Sequence, residues 1–159
     1  MSLDEANYML GMVTAVAGLG GTLLGGYLAD ILAARLRRAH LWVSGVSMVL
    51  ALPFACVAFT TRDATTFIAS LLVAEFMVFL STGPINVVLV SVVPVSIRAT
   101  AMAVSIFIIH LFGDAAAPPV LGLVSDLTSL STAALLVPVF VALSAGIWLV
   151  AAWKPGRSG

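Results

Sequence analysis

The chain has 159 residues, of which 62% are hydrophobic and 9% charged, and its formal net charge is zero. A soluble domain averages about 45–50% apolar and about 25% charged residues, so this chain lacks the polar groups to cover a water-facing surface and reads as an integral membrane protein. The charge balance argues against a nucleic-acid partner, which needs a basic face, and a single cysteine excludes a disulfide framework or a thiolate metal cluster.

The N-terminus carries Asp4 and Glu5 but no Lys or Arg, so it does not open like a secretory signal. A span needs about 20 mostly apolar residues to cross about 30 Å of hydrocarbon. Five stretches qualify, at about 8–32, 41–59, 67–92, 100–121 and 133–153. All should be helices, because lipid offers the backbone no hydrogen-bond partners and the runs are too long for barrel strands. The expected fold class is therefore all-α, a polytopic membrane bundle of five transmembrane helices in one domain.

In the first span Ala17, Gly21, Gly25 and Ala29 recur every fourth residue, and Thr14, Gly18, Thr22 and Gly26 form a second such row. Small residues at this spacing let helix backbones approach closely, so a packing face is expected; a substrate passing along the exposed backbone is the functional alternative. A dinucleotide reading of the glycines fails, since that fingerprint follows a strand. The turn at 33–40 is basic, with Arg35, Arg37, Arg38 and His40. In the second span Cys56 reads as a small buried side chain.

The third span carries Glu75 and then Ser81-Thr82-Gly83-Pro84-Ile85-Asn86, polar side chains and a helix breaker at membrane depth. A second loop on the basic side, at 93–99, holds Pro94 and Arg98. The fourth span holds His110 and Asp114, one turn apart on one face, and then Pro118 and Pro119, which remove two backbone donors and should kink or end the helix. Trp42, Trp148 and Trp153 lie towards span ends, where indole rings favour the interface.

Arg35, Arg37, Arg38, Arg98, Lys154 and Arg157 fall on one side of the membrane and Arg62 alone on the other. The excess of basic residues inside predicts an external N-terminus, a cytoplasmic C-terminus and cytoplasmic loops at 33–40 and 93–99. Glu75, His110 and Asp114 are the ionisable groups deep in spans. Each costs about 2.5–3.5 kcal/mol at the bilayer centre on insertion scales, so each is a functional candidate. If the third and fourth spans pack as antiparallel neighbours, Glu75 and Asp114 lie at similar depth and the three groups share one polar pocket. A proton would then be held at a position set by its surroundings, as proton coupling requires. The competing structural reading is that His110 and Asp114 merely hydrogen-bond each other or a neighbouring helix.

Gly26-Tyr-Leu-Ala-Asp30 followed by Arg35, Arg37 and Arg38 resembles the cytoplasmic loop motif of the major facilitator superfamily. A more specific resemblance, to the spinster-like branch of that superfamily, rests on Glu75-Phe76, Thr82-Gly83-Pro84 with Asn86, Val93-Pro94, Arg98-Ala99, and Ile109-His110-Leu111-Phe112-Gly113-Asp114-Ala115 running on to Pro118, Gly122, Ser125 and Asp126. It covers almost the whole chain.

The resemblance implies secondary active transport by alternating access, with lysophospholipids and sphingoid lipids among the family's substrates. It also implies that the five helices correspond to spans eight to twelve of twelve, a partial C-terminal half of the facilitator fold. The abrupt N-terminus and odd span count agree, because facilitator halves have six spans around a midplane site. The expected partners are the lipid bilayer, a small-molecule or lipid-like substrate, and a missing N-terminal half or another chain; the expected location is the plasma membrane.

The expected proton-coupling and cavity residues are His110, Asp114, Glu75, Asn86 and Thr82. Asp30, Arg35, Arg37, Arg38 and Arg98 are the expected gating residues of the cytoplasmic loops, and Pro84, Pro118 and Pro119 the helix breaks. No cofactor or metal is expected. An intramembrane enzyme built on His110 and Asp114 is the weaker reading, because HExxH and Gly-x-Ser-x-Gly motifs are both absent. A non-catalytic multispan subunit, associating with other membrane helices through the glycine face, is the other alternative.

Overall fold

The computed structural model describes residues 3–154; Arg157, counted above among the basic residues, lies outside them. Among the described residues the fold is all helical, and five helical stretches are long and apolar enough to cross a membrane. The chain is an integral membrane protein.

The first span is α1 (Leu3–Ala33) and the second α2 (Ala39–Thr60). The third is divided into α3 (Ala64–Leu80) and α4 (Thr82–Ser91) at Ser81. After a 3₁₀ turn (Val95–Ile97), the fourth runs through α5 (Arg98–Ile109), a π-helical segment (His110–Ala115) and α6 (Ala117–Leu127). The fifth consists of α7 (Leu130–Ala134) and α8 (Leu136–Trp153).

The sequence places small residues where helices must meet, because lipid supplies no hydrophobic drive between them and close backbone packing has to do the work. On α1, Ala17, Gly21, Gly25 and Ala29 are buried. A Cβ at Gly21 would lie 2.6 Å from the carbonyl oxygen of Phe76, and one at Gly25 would overlap the backbone of Leu80. The same seam continues at Gly83, where a Cβ would meet the Thr22 carbonyl at 2.9 Å. The glycine row is thus the packing face for the third span.

The most shared helix is α2, packed against α1, α3, α4 and α8. Its buried stripe includes Ser44, Met48, Ala51, Ala55 and Ala58, spaced alternately by four and three residues. Gly45 admits Leu149 of α8, whose Cδ2 would stand 2.6 Å from an added Cβ. Cys56 lies off that stripe. It is exposed rather than buried, because apolarity alone does not distinguish a helix-facing from a lipid-facing position when both surroundings are hydrocarbon.

The fourth span stands apart. Its most apolar window has no buried residue, and its main packing is against its chain neighbours, α4 at one end and α7 at the other.

Candidate functional site

The candidate residues lie in three main places. The first is the π segment. Its Ala116 N–H donates to the Leu111 carbonyl at 3.2 Å, five residues back, and Pro118 and Pro119 then deny the Asp114 carbonyl both its i+4 and its i+5 donor. A π turn inside an α-helix widens the ladder and recurs at functional sites. Here it carries His110 and Asp114, and His110 Nδ1 is hydrogen-bonded to Asp114 Oδ2. Both side chains remain open, at 65% and 72% exposure. They form a two-member acid–base unit presented outward from the span.

The second place is the third span. Glu75 is half-buried, and its Oε2 is fully enclosed with no hydrogen-bond partner among the described residues. Thr82 and Asn86 follow on α4 and are half-buried too. Pro84 lies in the first turn of α4 and is buried. Ser81, at the break, satisfies itself by donating its hydroxyl to the Val78 carbonyl at 2.7 Å. An enclosed polar oxygen without a hydrogen-bond partner is costly in a low-dielectric setting.

The shared pocket of Glu75, His110 and Asp114 does not form. The reason is the packing of the third span: α3 packs chiefly on α1 and α2, where the glycine and alanine seams hold it, and the third span meets the fourth mainly through α4. Glu75 and the His110–Asp114 pair are separate elements of this structure.

The third place is the basic turn. His40 lies on the first turn of α2, its Nε2 3.1 Å from Oδ1 of Asp30 on α1. Arg38 adopts a left-handed conformation, φ 65°, immediately before α2. Its Nη1 donates to the carbonyl of Ala151 at 2.9 Å and to that of Lys154, so one guanidinium satisfies the open carbonyl end of α8. Arg35 and Arg37 are exposed and make no ion pair among the described residues. Arg98 begins α5, exposed and distant in sequence from this cluster. The Asp30–His40 contact and the Arg38 cap were beyond sequence reasoning. They join residues ten and more than a hundred positions apart, and no periodicity relates such positions.

No family model matches the chain. It is 34% identical over 149 residues to "Probable sphingolipid transporter spinster homolog 3" of Arabidopsis thaliana, an overlap of 93% of this chain and 29% of that protein. The chain belongs to the spinster family. Another spinster relative, "Probable sphingolipid transporter spinster homolog 2" of the same plant, is 35% identical across 92% of the chain and 31% of its own length. "Sphingosine-1-phosphate transporter SPNS2" of Danio rerio is 32% identical across 74% of the chain and 24% of its own. The chain therefore spans about three tenths of the length of its spinster relatives in Arabidopsis.

Proposed function

We propose that this chain is the C-terminal portion of a secondary active transporter that moves a lipid-like solute by alternating access, coupled to protons. The supporting observation is the match to sphingolipid transporters along more than nine tenths of the chain. Within it, His110 and Asp114 exchange the coupled proton. Neutral imidazole beside a carboxylic acid differs from imidazolium beside a carboxylate only by the position of one proton, and the π segment holds the two side chains within hydrogen-bonding reach. Glu75, Thr82 and Asn86 line the substrate path along the third span. Pro84, Pro118 and Pro119 provide the helix breaks at which backbone groups open to a cavity. Asp30, Arg35, Arg37, Arg38 and Arg98 act at the cytoplasmic loops as gating residues. The membrane is the plasma membrane, with the N-terminus outside and the C-terminus in the cytoplasm. The chain is not an enzyme.

The test uses vesicles that contain this chain assembled with the N-terminal portion that completes the transporter. His110→Ala and Asp114→Asn should each abolish substrate-driven proton movement while leaving the protein in the membrane. Unchanged proton flux in both variants would remove the pair from coupling.

The unburied fourth span favours a second reading, a non-catalytic multispan subunit that docks on other membrane helices. Monomeric behaviour in detergent with no helix partner recovered would count against it.

A further inference from the structure

Between α1, α2 and α3 lies an apolar groove of about 580 Å³, within the range of about 300–1,000 Å³ usual for small-molecule sites. Its long wall is the row Leu24, Leu28 and Leu32 of α1, continued by Leu36 in the basic turn, with Val46 of α2 and Phe76 of α3 opposite. From Leu24 to Leu32 the helix rises about 12 Å at about 1.5 Å per residue, and Leu36 extends the wall further. That depth is close to one leaflet, half of about 30 Å of hydrocarbon. The groove thus runs from the middle of the membrane to its basic surface.

The chemistry of the wall restricts the occupant. Ser47 is one of its few polar side chains, and its hydroxyl is already donated to the Ser44 carbonyl at 3.0 Å. Hydrogen-bonding groups inside the groove would find few partners. At its mouth the situation reverses. Arg35 and Arg37 flank Leu36, both exposed and without an ion pair among the described residues. The remaining charges of the turn are engaged, Asp30 with His40 and Arg38 with the end of α8. Trp42, partly buried, lines the groove from the first turns of α2. An apolar slot whose wall ends at Leu36, with an exposed, unpaired arginine on either side of that residue in the chain, matches a molecule with a hydrocarbon chain and an anionic head. Basic pockets between membrane helices bind anionic headgroups on these terms.

We propose that the groove is a resident-lipid site, holding one acyl chain of an anionic bilayer phospholipid whose phosphate is bound by Arg35 and Arg37. The lipid braces α1, α2 and α3 at the end that carries the basic turn. It is not the transported solute, and the inference does not rest on the transport reading.

The chain has three tryptophans, so Trp148→Phe with Trp153→Phe leaves Trp42 as the fluorescent reporter. This variant is placed in phosphatidylcholine vesicles doped with increasing fractions of either dibrominated phosphatidylglycerol or dibrominated phosphatidylcholine, and quenching is followed. Phosphatidylglycerol should quench Trp42 at lower mole fraction than phosphatidylcholine. Removing the guanidinium groups with Arg35→Gln and Arg37→Gln should cancel that preference, with a loss of about fivefold per arginine, the factor a basic residue near an anionic surface contributes. Val46→Phe, which fills the groove, should weaken quenching by both lipids with helix content unchanged by circular dichroism. Arg62→Gln, in the opposite turn, should leave the preference intact. Equal quenching by the two lipids overturns the proposal, as does a preference that survives loss of Arg35 and Arg37. Shielding of Trp42 from both lipids would assign the groove to another helix and overturn it as well.

Discussion

Asp30 of α1 and His40 of α2 meet across the basic turn with Oδ1 3.1 Å from Nε2. The histidine is largely enclosed and the aspartate largely exposed, at 19% and 72% exposure of their side chains. The contact ties the end of one span to the start of the next at the motif that resembles the facilitator loop. Asp30→Ala and His40→Ala should each speed hydrogen exchange in the turn at 34–38. In a double-mutant cycle the second substitution should add little to the first, giving a coupling of about 0.2–1 kcal/mol for a pair whose carboxylate is solvent-exposed. Fully additive effects would show that the two residues act separately.

Arg38 serves two functions at one position, and two substitutions separate them. Arg38→Gly loses the hydrogen bonds to α8 but suits the left-handed backbone; Arg38→Ala loses the bonds and keeps the backbone cost. Both should lower the thermal unfolding temperature in detergent. Alanine should be the worse by about 1 kcal/mol, the penalty for a Cβ in that region. Equal stability of the two variants would rule out a contribution from backbone strain.

The first span predicts opposite outcomes for adjacent glycines. At Gly25 an added Cβ overlaps the backbone of Leu80, whereas at Gly26 it meets nothing within 4 Å. Gly25→Ala should destabilise the bundle by about 1–3 kcal/mol through overpacking against main chain that cannot move aside. Gly26→Ala should be neutral or stabilising by up to about 1 kcal/mol, since alanine is the better helix former. Thermal unfolding followed by circular dichroism distinguishes them; equal losses at both positions would refute the seam as described.

Asp63 caps α3, with Oδ2 accepting the Thr66 N–H at 2.7 Å and the Thr66 hydroxyl at 2.7 Å. The Thr66 backbone bond first, and then the hydroxyl, hold the carboxyl below its ordinary value of 3.8. A depressed folded-state value means the carboxylate stabilises the helix start at pH above the unfolded value and loses that effect as pH falls through the folded one. Exchange of the Thr66 amide should therefore speed up below about pH 4 beyond the intrinsic trend, and Asp63→Asn should flatten that dependence. An unchanged profile in the variant would assign the protection to helix packing instead.

Much of this architecture was legible from composition. A bilayer demands long apolar helices and penalises every unpaired backbone group, so five spans and an all-helical fold follow from hydropathy. The four-residue rows of small side chains identified the face of α1 that meets α3, because only glycine and alanine permit such an approach. His110 and Asp114 were legible as a pair for a local reason, since residues one helical turn apart are neighbours whatever the rest of the chain does.

Relationships between helices were not legible in this way. Glu75 could have joined His110 and Asp114 only if the third and fourth spans packed side by side, and hydropathy does not rank one apolar helix face above another inside hydrocarbon. Cys56 illustrates the same degeneracy, being apolar in context yet exposed. The choice fell to steric fit: the seams of α1 and α2 admit α3 and α8, whereas an added Cβ at Gly113 or Gly122 of the fourth span would meet nothing within 4 Å. The amino-acid sequence by itself determined the membrane, the helices and the local pairs, because these depend on transfer energies and on spacing along one helix. Only the tertiary structure decided which span lies beside which, how the Glu75 Oε2 is enclosed, and how Arg38 and His40 fasten the basic turn, because those contacts depend on shapes that meet across the fold.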